Sequence, residues 1–389
     1  MLKAILPSHF KLSTIVMALL SVSATSVYAM KIQEGVHYRD FVTSSKDIEI
    51  DLERDNTGPF NFYFHEGAKV VSGLNTLDII GNTDVTEKTS VNFYVDEGKS
   101  LHLESSAGYA IDSKNPLIEI NFEAKGADLT FVSNAYDSPN DAMSIAGGNV
   151  NVTAHSMTTM GGWQSGLFLS SGHAAIRLTG DYVGKNGDAA IAGQHGSAEI
   201  FANNIVLSTT ADQHMGINSG IYVSSYQDPQ SKGTYIDLRA VHKMDISGSK
   251  NGIKTFGASE MHFEAEDIAI TGDQNDGIKL NGYGSDYSSH ITATAKNDLT
   301  VQGRGQGIYL LDKSSFTGTA NTVNILGNNA LWLDDSSAKL SGNNVTISGK
   351  AFGAYLKADS KMGVDQTNEL TIRSEGGGGG PYPWLIRAL

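Results

Sequence analysis

The sequence of 389 residues contains no cysteine. That absence removes disulfide staples, thiol catalysis and thiolate metal sites together. Positive charge is also short. With 28 basic against 42 acidic side chains the formal charge is −14, which argues against a nucleic-acid partner, because a phosphate backbone is held by clustered Lys and Arg. After the first 29 residues there is no run of 18 apolar residues, so no membrane span is expected in the mature chain. No helical periodicity of useful length occurs either. The 40% apolar fraction is enough to bury a core and excludes a disordered chain. By length alone the chain would hold two or three globular domains, or one repetitive one.

Residues 1–29 stand apart. Lys3 and Lys11 supply their only charges, Leu12 to Val22 is mostly apolar, and Val27-Tyr28-Ala29 closes the stretch. This is the layout of a secretory signal peptide, recognised by the export machinery, with cleavage expected between Ala29 and Met30. Its apolar run is too short for a stable span. The mature chain then carries −16 and leaves the cytoplasm without disulfides.

The remainder repeats. One motif is a polar residue, Gly or Ala, then apolar-x-apolar. It occurs at Asp141-Ala142-Met143-Ser144-Ile145, Ser165-Gly166-Leu167-Phe168-Leu169 and Asp188-Ala189-Ala190-Ile191-Ala192. It returns at Ser219–Val223, Asn251–Thr255, Asp276–Leu280, Gln306–Leu310, Asn329–Leu333 and Phe352–Leu356. From one Gly/Ala position to the next the steps are 24, 23, 31, 32, 25, 30, 23 and 23, a constant frame with loops of changing length. A second motif, apolar-x-apolar-x-Gly/Ser, lies between the copies, as in Met244–Gly248, Ile268–Gly272 and Val345–Gly349. A third, looser segment begins with Ser, as at Ser259, Ser315 and Ser337.

Period-two alternation buries one side of each segment and wets the other. Three short strands per repeat, each ended by Gly, Asn, Asp or Ser, predict an all-β, right-handed parallel β-helix over residues 30–375. One coil cannot bury its apolar side alone, so coils stack and each strand pairs with its equivalents above and below. The interior is expected to hold Ile221, Val223, Ile253, Ile278, Leu280, Ile308, Leu310, Leu331 and Leu333. About 13 coils would make a rod roughly 60 Å long. Alternation at Ile48–Leu52, Val91–Val95 and Leu101–Leu103 puts the start near residue 40.

A signal peptide followed by such coils resembles the passenger domain of a Gram-negative autotransporter. Asn343-Asn344-Val345-Thr346-Ile347-Ser348-Gly349 and Gln306-Gly307-Ile308-Tyr309-Leu310 are in its style. The resemblance covers residues 1 to about 375 and implies a rod carried to the cell surface by a C-terminal β-barrel, often to serve as an adhesin. It implies partners among host glycans or surface proteins, or self-association between rods. The chain departs from that family after Glu375. Gly376–Gly380 form a Gly-rich linker, and Pro381–Leu389 a short tail, where a barrel would need a series of amphipathic strands. The expectation is a truncated or frame-shifted gene end, or a short binding tail; without a barrel the chain would stay periplasmic. Two-partner secreted haemagglutinins share the architecture, but their Asn-Pro-Asn signature is approached only by Asn115-Pro116-Leu117.

The rival reading is a polysaccharide lyase or hydrolase, since this fold hosts both. Asn82-Thr83-Asp84 and Asp334-Asp335 resemble pieces of a pectin-type site, but about ten coils, or ~50 Å, would separate them. The Gly193-Gln194-His195-Gly196 loop carries one residue too many and lies far from both. Asp212 with His214, and Glu264-Ala265-Glu266-Asp267, are oxygen-rich but read as solvated carboxylates rather than a Ca²⁺ site. No cofactor motif and no Gly-x-Ser-x-Gly elbow is present. The expectation is therefore a non-enzymatic protein with no metal and no cofactor.

One pattern points to binding. The middle residue of the first motif should face outward on one sheet, coil after coil: Ser144, Phe168, Ile191, Tyr222, Lys254, Lys279, Tyr309, Trp332 and Tyr355. Its aromatic members, Phe168, Tyr222, Tyr309, Trp332 and Tyr355, form the candidate ligand-binding ladder, because Tyr and Trp combine apolar area with a polar tip. The alternative is cross-strand stacking that only stabilises the sheet.

Overall fold

The protein is described by a computed structural model covering residues 37–38, 42–43, 48–51, 59–72, 75–80, 87–134, 140–162, 164–209, 217–225, 233–282 and 287–376. The signal peptide with its Ala29–Met30 cleavage point, Asn82–Asp84, Asp212, His214 and the tail after Gly376 lie outside the described residues.

Among the described residues every strand pairing is parallel, and each strand pairs with the strand one coil earlier and one coil later. The pairings sort into three ladders. The first face runs from His37–Tyr38 through Phe60–Phe64 and Thr89–Val95 to Lys361–Asp365. The second runs from Val42–Thr43 to Glu369–Ser374, and the third from Ile48–Asp51 to the end of Asn344–Lys357. Among the described residues thirteen strands stack on each of the first and second faces and twelve on the third. This is the expected solenoid of three-strand coils.

Alternation is what drives the coil. In Ser259–Gly272 the inward Met261, Phe263, Ile268 and Ile270 are buried, while Glu260 and Glu264, which flank Met261 and Phe263, face solvent. Long strands of this kind turn the corner between the first and second faces without ending. Their pairing slips at the bend, as between Arg239 and Lys243. All nine core residues expected from the first motif are fully buried, and each such side chain favours the stack by roughly 1.5–3 kcal/mol. Toward the N-terminal end the interior becomes aromatic: Phe62, Phe93 and Phe122 stack at ring-centroid distances of 5.3 and 4.8 Å.

The glycines of the first motif mark a close approach between coils. A Cβ on Gly252 would lie 2.5 Å from the Gly277 carbonyl oxygen, and one on Gly277 would lie 2.6 Å from that of Gly307. At two of these glycines the preceding polar residue caps the next coil. Asn251 Oδ1 accepts from the Asp276 backbone N–H at 3.4 Å, and Asp276 Oδ1 accepts from that of Gln306 at 2.9 Å. Asn115-Pro116-Leu117 is a turn of the same economy, its Asn115 Oδ1 accepting from Leu117 N–H at 2.8 Å.

Candidate functional site

The middle residues of the first motif do stack in one column on the third face, with two corrections. The register places Phe168 beside Ala192 and Ala192 beside Tyr222. Ile191 instead pairs with Leu167 and Ile221 and is fully buried. Reading Asp188–Ala192 as a motif copy put its frame one residue off, and a slip of one exchanges the two sides of a strand. Three alanines in that copy fit either side, so local sequence could not fix the frame. Ser144 holds its place in the column next to Phe168, but it is buried rather than exposed.

From Tyr222 onward the column reads Tyr222, Lys254, Lys279, Tyr309, Trp332, Tyr355, each the direct neighbour of the next. Tyr309 and Trp332 meet edge to face at 5.9 Å, and Trp332 and Tyr355 are tilted at 4.4 Å. Phe352 adds a further ring 6.1 Å from Tyr355. Tyr355 is 38% exposed and Phe352 40%, so the ladder opens to solvent at this end. Phe168 shares the column but is cut off from Tyr222 by Ala192. Burial, and then the charges of Asp334 and Asp276, hold the Tyr309 hydroxyl above its ordinary range.

Trp332 has a feature that packing does not explain. Its Nε1–H is buried and has no hydrogen-bond acceptor among the described residues. An unsatisfied buried donor typically costs about 1–3 kcal/mol, a penalty phenylalanine would not carry.

The carboxylates singled out from sequence are occupied by neighbouring coils. Asp334 takes Lys357 at 2.7 Å and Asp335 takes Lys313 at 2.6 Å. Glu266 holds His242 at 3.0 Å and Lys296 at 3.2 Å, while Asp267 Oδ1 accepts from the Asp298 N–H at 3.2 Å. No group of three or more His, Asp and Glu side chains among the described residues is placed to hold a metal ion. None of the described helical or strand elements is a helix long and apolar enough to cross a membrane.

Two arrangements escaped the sequence reading. The first is an asparagine ladder on the outside of the first face. Asn92 donates to Asn61, Asn121 to Asn92 and Asn151 to Asn121, each at 2.9 Å. Its signal is legible in retrospect: Phe60-Asn61-Phe62, Val91-Asn92-Phe93, Ile120-Asn121-Phe122 and Val150-Asn151-Val152 all place Asn between two inward apolar residues. The second is a buried acidic pair on neighbouring coils. Asp141 is fully buried, and desolvation pushes its carboxyl up to about 7 against hydrogen bonds from Ser165, with the Asp112 charge adding to the rise. Asp112 is itself buried and forms an ion pair with Lys114. These aspartates are 29 residues apart in sequence and only the coil period brings them together.

No protein-family model matches the sequence, and no curated protein or solved structure matches it.

Proposed function

We propose that the chain is an exported β-helical rod, similar in build to an autotransporter passenger, that acts as a scaffold or adhesin at or beyond the cell surface. The observation that carries the binding role is the outward Tyr309–Trp332–Tyr355 run, held in register on a stiff face and open at Tyr355. Trp and Tyr in such a row suit stacking on sugar rings or on another protein's apolar surface. Contacts that are weak singly sum along a rigid face, because each one raises the effective concentration for the next. Export rests on the sequence of residues 1–29.

The test is a glycan and matrix-protein binding screen of the full chain, paired with a cell-aggregation assay on displaying cells. A signal in either that falls several-fold in Trp332→Phe supports the reading. That variant keeps a ring in the stack and removes the unsatisfied Nε1–H, so its melting temperature should be unchanged or higher. No signal in both assays sinks the reading. If Trp332→Phe instead lowers the melting temperature and leaves binding intact, the ladder serves only the sheet.

A second reading, a polysaccharide-processing enzyme, is favoured by the Asp112–Asp141 pair. A carboxyl raised toward neutrality beside a second carboxylate is the arrangement of an acid and its base. Both groups are covered, however, and a glycosidic bond would need them uncovered. Release of new reducing ends or unsaturated products from acidic or neutral polysaccharides, abolished in Asp141→Asn, would establish that reading; no release would remove it.

A further inference from the structure

Two lysines interrupt the aromatic column. Lys254 and Lys279 are direct neighbours on adjacent coils, with Tyr222 before them and Tyr309 after. Like charges set side by side across a parallel pair are unfavourable. Burial, and then the charges of Lys279 and Lys250, lower the Lys254 ammonium from its ordinary range. Neither lysine takes part in an ion pair among the described residues. Asp276, whose charge reaches both lysines, commits Oδ1 to the Gln306 backbone N–H. Rings answer part of the charge: Lys254 Nζ lies 5.0 Å from the centre of Phe256 and Lys279 Nζ lies 5.1 Å from that of Tyr309. An ammonium over a ring keeps most of its capacity to hold an anion, since the ring donates no full charge.

Beside the two ammonium groups lies an open cleft of about 270 Å³, whose walls include Asn251, Asn275, Gln306 and one carboxylate, Asp276. It therefore offers two cations and side-chain amides around a single carboxylate whose Oδ1 is already bonded to the Gln306 N–H, in a chain whose net charge is −14. Adjacent along the same column stand Tyr309 and Trp332. An anion-sized recess joined to an aromatic run matches a sugar chain bearing acid groups better than a neutral one.

We propose that the third face binds an acidic polysaccharide, with a carboxylate or sulfate seated between Lys254 and Lys279 and a neighbouring sugar ring against Tyr309 and Trp332. The proposal rests on the binding role given above and specifies its ligand class. The amides of the cleft would donate to the same acid group or to ring hydroxyls. Removing one positive charge from the pair relieves the repulsion between them, so the fold should tolerate it.

The experiment is affinity electrophoresis of the full chain at physiological salt through gels containing dextran, dextran sulfate or polygalacturonate. Retardation by at least one of the two acidic polymers and none by dextran is expected; which acidic polymer retards tells sulfate from carboxylate. Lys254→Gln and Lys279→Gln, made separately, should each weaken retardation several-fold while leaving the melting temperature equal or higher. Tyr309→Ala should weaken it several-fold. Retardation that survives both sets of changes would mean general adhesion to polyanions, and the proposal falls. Retardation by dextran alone would overturn the acidic specificity and leave the broader binding role standing. No retardation in any gel overturns the proposal, and the broader role then stands or falls with the screen described for it.

Discussion

Asp141 shows how a single residue records the architecture. Its unfolded-state carboxyl ionises near the ordinary value of 3.8, whereas burial holds the proton in the folded protein up to about 7. The folded state therefore binds more protons across that window. The contribution is fully present below about pH 4 and is lost as pH rises toward about 7. Melting curves of the native chain and of Asp141→Asn, recorded from pH 4 to 8, should converge at the acid end. At pH 8 the variant should be the more stable of the two, because its neutral amide can still accept the bonds from Ser165. A difference that does not vary with pH would count against this account. Nothing in Asp141-Ala142-Met143 announces such a residue: the polar position of the motif was legible, its burial was not, because burial comes from chain beyond the local strand. The same applies to Ile191 and Ala192, where an alanine-rich copy gave period two without giving its phase.

Among single strands, the repeat was read most reliably where inward residues are large and branched. Met261, Phe263, Ile268 and Ile270 announce their side by bulk. The asparagine ladder was missed for the opposite reason: the upstream coils lack the glycine motif that drew attention to the rest. Asn92 sits mid-ladder with amide bonds to Asn61 and Asn121. Asn92→Ala should cost about 1–2 kcal/mol in urea unfolding, as two exposed-face hydrogen bonds vanish together. Phe122→Ala, in the stacked rings inside, should cost about 3–5 kcal/mol, since its neighbours Phe93 and Phe131 cannot close the cavity without breaking their own contacts. Gly252→Ala should cost about 1–3 kcal/mol, because the new methyl meets the Gly277 carbonyl oxygen and Ile270 at once.

Over the whole molecule, stability should vary along the axis. Interior coils are covered above and below. The last described coil is not: Leu356 is 44% exposed and Leu370 39%, although both occupy positions that face inward one coil earlier. Amide hydrogen exchange should therefore be fastest over 350–376 and slowest through the coils between about 236 and 310, with protection rising coil by coil rather than in one step. Uniform exchange along the rod would contradict a stack held by nearest neighbours. The column was foreseeable because coil periodicity superimposes residues far apart in sequence. The cleft beside Lys254 was not, because its walls come from three different coils whose loops vary in length.

The in-register ladders also bear on how such a chain can change in length over generations. Residues 322–343 contribute one strand to each of the three faces, and their neighbours on either side present matching surfaces. Duplicating or losing a segment of that size would leave every column aligned and alter only the reach of the rod. Inserting one amino acid within a strand would turn its apolar side outward. Gene-level gain and loss should therefore be tolerated in units of a whole turn, and point insertions only at the loops.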